Sequence, residues 1–192
     1  MKHFRPVMGR NTVVVFVMAL VSGLVALGLG AAPASAAGNC AIRWGSGAKV
    51  ETGASGGSLV NVRAGRHACY DRMVMDIADG AGLRWWAVNY VDEVRSDGEG
   101  AVVPTRGGAS LQVVVFSDSQ SPDGSSFPGV KNPDELVNVK GFSTFRQVVW
   151  AGSFEGVSTV GIGTRARLPF RVFTQPGPRG DLRLVVDVAH RW

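Results

Sequence analysis

From residue 67 onward, apolar and polar side chains alternate in short runs bounded by glycine, proline and aspartate, and no stretch keeps the 3.6-residue repeat of an amphipathic helix. That pattern restricts the chain to β architecture, because helical bundles and α/β sheets both need long amphipathic segments. In the first run, Cys69, Met73, Met75 and Ile77 fall on one side of a strand with Asp71 among them, and Tyr70, Arg72, Val74 and Asp76 fall on the other. Further runs lie at 83–91, 111–116, 145–151, 157–162, 170–174 and 182–189, with turn signals at 78–82, at Asp97-Gly98 and at Pro176-Gly177-Pro178. Residues 117–133 are polar and proline-containing and read as an extended surface loop, with one short helical turn within 133–139. About seven strands in about 120 residues fit a sandwich or a partly open barrel, and the expectation is a single all-β sandwich over 67–192.

The other end of the chain bears on location. Lys2, Arg5 and Arg10 precede an apolar run at 13–30, and Pro33 then leads into Ala34-Ser35-Ala36, a small-x-small site of the kind signal peptidase accepts. A retained anchor would need about 20 apolar residues. Here glycine and serine dilute the run, and Pro33 follows it directly. Residues 1–36 are therefore expected to be a cleaved signal peptide and the mature protein to be secreted. Cleavage also changes the charge. The chain carries 20 Lys plus Arg against 15 Asp plus Glu, but three of those basic residues and none of the acidic ones lie in 1–36, which leaves 17 against 15. So small a balance gives no footprint for nucleic acid, which needs clustered Lys and Arg.

Cys40 and Cys69 make an even count in an oxidising compartment, and a disulfide between them is expected, worth roughly 3 to 4 kcal/mol through loop closure. Between them, residues 37–66 are rich in glycine and serine and read as a flexible arm tied back by that bond. The arm contains Gly53-Ala54-Ser55-Gly56-Gly57, a G-x-S-x-G string. A hydrolase nucleophile at Ser55 would need a buried strand before it and a helix after it. Both flanks here are small or polar, so the string carries no catalytic expectation.

Candidate binding residues follow from the strand pattern. Trp85 and Trp86 are adjacent, so an extended strand sends them to opposite faces, and one of the pair is expected to reach the surface as a stacking platform. Asp92, Glu93 and Arg95, beside a glycine-rich hairpin, could bind polar groups of a ligand or hold strands in register. For Arg183 and Asp187, which share a face without touching, the structural reading is favoured, each needing a neighbour. Trp44 and Trp192 read as closing off the core. His67 and His190 stand apart from one another and no HExxH string occurs, so no metal, cofactor or catalytic group is expected.

Leu168-Pro169-Phe170-Arg171-Val172-Phe173 followed by Leu182-Arg183-Leu184-Val185-Val186-Asp187-Val188 resembles the closing strands of AMIN domains. With Cys69 to Asp76, Tyr90 to Arg95, Phe154-Glu155-Gly156-Val157 and Gly161-Ile162-Gly163, the stretch resembles more closely the AMIN-like domain of secreted proteins in high-GC Gram-positive bacteria. The resemblance implies a β-sandwich of the cell envelope, associated with the wall and binding its glycan, peptidoglycan, or an envelope protein. Two other readings stay open: a secreted protein-protein or inhibitor domain using the 117–133 loop, and a hydrolase with an unrecognised site. Nucleic acid and, after signal cleavage, membrane are not expected partners. Oligomeric state is not legible in the sequence.

Overall fold

Alternation along β3 (Tyr70–Ala78) and β11 (Leu182–Ala189) builds the centre of the molecule. Met73, Met75 and Ile77 of the first and Leu184, Val186 and Val188 of the second are fully buried in one hydrophobic cluster. The computed structural model describes residues 40–119 and 130–192, so the signal peptide expected at 1–36 and most of the 117–133 loop lie outside the described residues.

The other strands are β1 (Lys49–Glu51), β2 (Ser58–Arg66), β4 (Trp86–Val91), β5 (Val94–Arg95), β6 (Val102–Val103), β7 (Ala109–Val115), β8 (Phe145–Phe154), β9 (Val157–Thr164) and β10 (Phe170–Pro176). Sheet A runs β1-β4-β7-β9-β8 and sheet B runs β10-β11-β3-β2, all pairings antiparallel. The inner faces of the two sheets share the core cluster, in which Trp86, Val113, Phe145, Val160 and Ile162 of sheet A meet the β3 and β11 residues. This is the expected sandwich. The helical turn expected after residue 133 is a 3₁₀ turn, Pro133–Glu135, capped by the Asn132 side chain.

Two elements depart from the expectation. Residues 37–66, read as an arm, supply β1 at the edge of sheet A and β2, a nine-residue strand of sheet B. A bulge between Leu59 and Asn61 breaks the period of two, so the buried residues fall at Leu59 and Val62 and the alternation is hidden. The short β5–β6 hairpin packs on the outer side of sheet A. Val94 is buried there against the Cα position of Gly161, where a Cβ would come within 3.0 Å of it. Ser55 lies in exposed coil between β1 and β2, without the strand-to-helix turn a nucleophile would need.

Polar groups also cross between the layers. Asp71 projects inward from β3 and is fully buried; its Oδ2 accepts from the backbone N–H groups of Thr144 (2.6 Å) and Phe145 (3.0 Å) at the start of β8, and His190 Nε2 donates to Oδ1 at 3.1 Å. At the opposite edge, the Tyr90 hydroxyl donates to the Leu168 carbonyl and accepts from its N–H, both at 3.0 Å, while its ring meets Phe170 edge-on. Burial pushes the Tyr90 hydroxyl pKa up, against the opposing bond that its oxygen accepts from the Leu168 N–H.

Replacing Asp71 with alanine strands two buried N–H groups at once, each costing about 1–3 kcal/mol. Asp71→Ala is expected to lower unfolding free energy by about 3 kcal/mol or more in urea titration with an unchanged m-value, and Asp71→Asn by less. A loss under about 1 kcal/mol for the alanine variant would show that this carboxylate does not hold the layers together.

Candidate functional site

The side of sheet B that faces away from the core is not a plain solvated surface. Even-numbered residues of β3 and odd-numbered residues of β10 and β11 point there, and the register lines them up in transverse rows. One row is Arg171, Asp187, Arg72 and Gly65; the next is Phe173, Val185, Val74 and Arg63; the third is Gln175, Arg183, Asp76 and Asn61. Val74 and Val185 are nearly fully buried although they face outward, as the stems of flanking arginines would make them.

Asp187 anchors the first row. It is completely buried, gripped by Arg72 through Nε at 2.6 Å and Nη2 at 2.9 Å, and by Arg171 through Nε at 2.8 Å. The hydrogen bond to Asp187 raises the already high pKa of Arg72, so that cation is permanent. Aromatic rings wall the pair. The Arg171 guanidinium carbon lies 4.5 Å from the Trp44 ring centre, 5.1 Å from Phe173 and 5.5 Å from Tyr70. Arg72 lies over Tyr70 and Phe173, Tyr70 meets Trp44 edge-on at 5.6 Å, and His67 stacks on Tyr70 at 4.5 Å. Distances of this order bring cation–π attraction of about 0.5–2 kcal/mol per contact.

Trp44 reaches this face through a covalent staple. Cys40 and Cys69 form the expected disulfide, with Cα atoms 5.5 Å apart. From there residues 40–51 run past β10, where the Gly45 carbonyl accepts from Phe170 N–H at 2.9 Å, and then join sheet A as β1. This strap lays Trp44 on sheet B instead of closing off the core as expected. The staple itself was the available signal, since with Cys40 and Cys69 Cα atoms 5.5 Å apart the chain keeps residue 44 within about 24 Å of Tyr70.

A second centre occupies the third row. Arg63 binds Asp76 at 2.8 and 3.0 Å, Asn61 donates to it at 3.0 Å, and Arg183 approaches at 3.5 Å. Burial works to raise the Asp76 pKa, but the Arg63 bond and charge outweigh it and hold the carboxyl below its ordinary value. Arg63, Asp76 and Arg183 line a cleft of about 360 Å³ with Asp181, so its charges balance. The neighbours needed by Arg183 and Asp187 are thus Asp76 for the former and Arg72 with Arg171 for the latter.

The residues singled out from sequence lie elsewhere and are not brought together. Trp86 is buried, its indole N–H donating to Glu51 at 3.0 Å. Trp85 lies on the opposite side, half-buried and edge-on to Phe116 at 5.0 Å. Glu93 and Arg95 form an exposed ion pair at 2.6 Å that braces the β5–β6 hairpin, with Arg95 also donating to the Gly100 carbonyl. Asp92 is exposed and lines a separate cleft of about 480 Å³ with Tyr90, Thr105, Ser110 and Arg167.

The same hairpin holds Asp97, whose Oδ1 accepts from Thr159 at 3.0 Å while Oδ2 is buried without a partner among the described residues. Burial pushes its carboxyl up, with the Thr159 bond opposing. A raised folded pKa penalises the ionised fold: the penalty is absent below about 3.9, the unfolded value, and complete above the folded one. Asp97→Asn is therefore expected to unfold at higher urea than wild type at pH 7, with the gap closing as pH falls towards 3.5. A constant gap across that range would contradict the assignment.

A family model described as the AMIN-like domain matches residues 57–190, well over half of the chain. No curated protein and no solved structure matches. The match spans sheet B and nearly all of sheet A, but begins after the strap, so Cys40 and Trp44 lie outside it.

Proposed function

Because the chain belongs to the AMIN-like domain family, we propose that it is a secreted, non-catalytic module of the cell envelope that binds cell-wall polymer, peptidoglycan foremost, through the outer face of sheet B. Family membership supports association with the envelope, and a disulfide fits an oxidising location. No helix among the described residues is long and apolar enough to cross a membrane.

The observation that carries the choice of face is the cluster of Trp44, Tyr70, Phe173, Arg72 and Arg171 over the buried Asp187. Polysaccharides are held by flat surfaces that combine aromatic rings with fixed hydrogen-bond donors, and rigid antiparallel strands supply such a surface without a deep pocket. Asp187 also reduces the ordering cost of binding, because Arg72 and Arg171 are already locked in the orientation they present. The candidates Trp85, Asp92, Glu93 and Arg95 lie on separate surfaces and offer no such convergence.

The protein purified as residues 37–192, a compact unit, is expected to pellet with insoluble wall sacculi in moderate salt. Trp44→Ala should weaken pelleting about tenfold, whereas Trp85→Ala should change it less than about twofold, since one buried contact is worth on the order of 1 kcal/mol or more. Pelleting that disappears at 0.5 M salt would indicate nonspecific charge attraction instead. Protein that stays in the supernatant throughout would turn the search towards an envelope protein partner.

A further inference from the structure

The face can be read one step further, towards the chemistry of what it holds. Trp44 does not present a bare ring. The Arg171 guanidinium sits over it at 4.5 Å, so the group available on that side is the edge of a cation rather than an apolar plane for a neutral sugar. Arg171 spends Nε on Asp187, and its two Nη groups have no acceptor among the described residues. Arg72 spends Nε and Nη2 on Asp187 and Tyr70 and keeps Nη1.

The charge count points the same way. Among the described residues Asp187 is the one carboxylate that pairs with either guanidinium, leaving two cations to one anion at this centre. At the other centre Arg63 and Arg183 face both Asp76 and Asp181, so no excess remains. Free Nη donors on a guanidinium held by a buried carboxylate and walled by three rings match an oxyanion, which accepts two parallel hydrogen bonds in the plane of the fork. The Arg171 side chain keeps 40% of its surface exposed, so an anion can reach those donors while the buried Asp187 holds the fork in place.

We propose that the Trp44–Arg171 centre recognises an acidic group of the wall polymer, a carboxylate or a phosphodiester, and that the disulfide-tethered strap over residues 40–51 completes this site. The inference rests on the wall-binding reading above. It adds the ligand's charge and assigns a role to a segment that the family match does not include. The strap supplies one wall of the site, so the site exists in full only while Cys40 and Cys69 are joined.

The test uses residues 37–192 with three preparations of sacculi: native, with carboxylates capped as glycinamides, and with phosphodiester polymer removed by hydrofluoric acid. On native sacculi Arg171→Gln is expected to weaken binding about tenfold or more, the worth of a charged hydrogen bond, and Arg171→Lys by less. Arg95→Gln, at an ion-paired arginine of the β5–β6 hairpin away from this face, should change binding less than about twofold. One of the two chemical treatments should abolish wild-type binding and erase the difference between wild type and Arg171→Gln, which identifies the source of the anion. Reduction with dithiothreitol, or Cys40→Ser with Cys69→Ser, should lower affinity to the level of Trp44→Ala, a variant that keeps the disulfide; circular dichroism establishes that each variant remains folded. Undiminished binding to sacculi treated both ways would overturn the inference and leave the wall-binding reading standing. An equal loss in Arg95→Gln would overturn it in favour of diffuse charge, and undiminished binding by folded, reduced protein would remove the strap from the site. Failure to bind native sacculi would sink the wall-binding reading itself.

Discussion

A carboxylate taken out of water has to be surrounded by donors, and the two central strands of sheet B carry one such group on each side. Asp71 points into the sandwich and draws in two backbone N–H groups from β8 and the ring of His190. Asp187 points outward and draws in Arg72 and Arg171 from the strands on either side. Both are completely buried. Losing the partners of such a group costs several kcal/mol, so both sets of donors are held tightly. The inner set joins the two sheets. The outer set fixes the guanidinium groups on which the rings of Trp44, Tyr70 and Phe173 are arranged. Fold and candidate site are thereby linked across a single pair of strands, β3 and β11.

The strap over residues 40–51 shows how a covalent bond extends this arrangement. Apart from β1, three residues long, it has little secondary structure and could not stay docked through backbone pairing alone. The disulfide limits its freedom in the unfolded chain, and individually weak contacts then help to seat it, among them the Gly45 carbonyl on β10, Trp44 on Arg171 and Tyr70, Glu51 on Trp86, and β1 on β4. Because the strap touches both sheets, it covers the edge where β10 and β4 would otherwise be open. Edge protection and site construction thus depend on the same bond.

Much of the sandwich was legible because its strands obey a period of two. The runs at 145–151, 157–162, 170–174 and 182–189 each fall within an observed strand, since their inward residues are large and apolar and proline or glycine marks the turns between them. β2 was not legible, because its bulge shifts the buried positions out of phase; neither was the β5–β6 hairpin, whose two-residue strands are too short to show any period. Trp86 enters the core while Trp85, just before β4, lies half-buried against Phe116 rather than standing free at the surface. The site was not legible there, because it is assembled by register. Arg171, Asp187 and Arg72 are far apart in sequence and become neighbours only when β10, β11 and β3 align, and Trp44 joins them only through the disulfide.

The claim that binds these observations is that ligand meets the protein on the outer face of sheet B, at the stapled end. Backbone amide chemical shifts of residues 37–192, recorded while soluble fragments released from sacculi are titrated in, test it most directly. The account predicts that shifts cluster at Trp44, Tyr70, Arg72, Arg171 and Phe173, with the indole N–H of Trp44 among the largest. Shifts centred instead on Trp85, Phe116 and the β5–β6 hairpin would place binding on sheet A and contradict it.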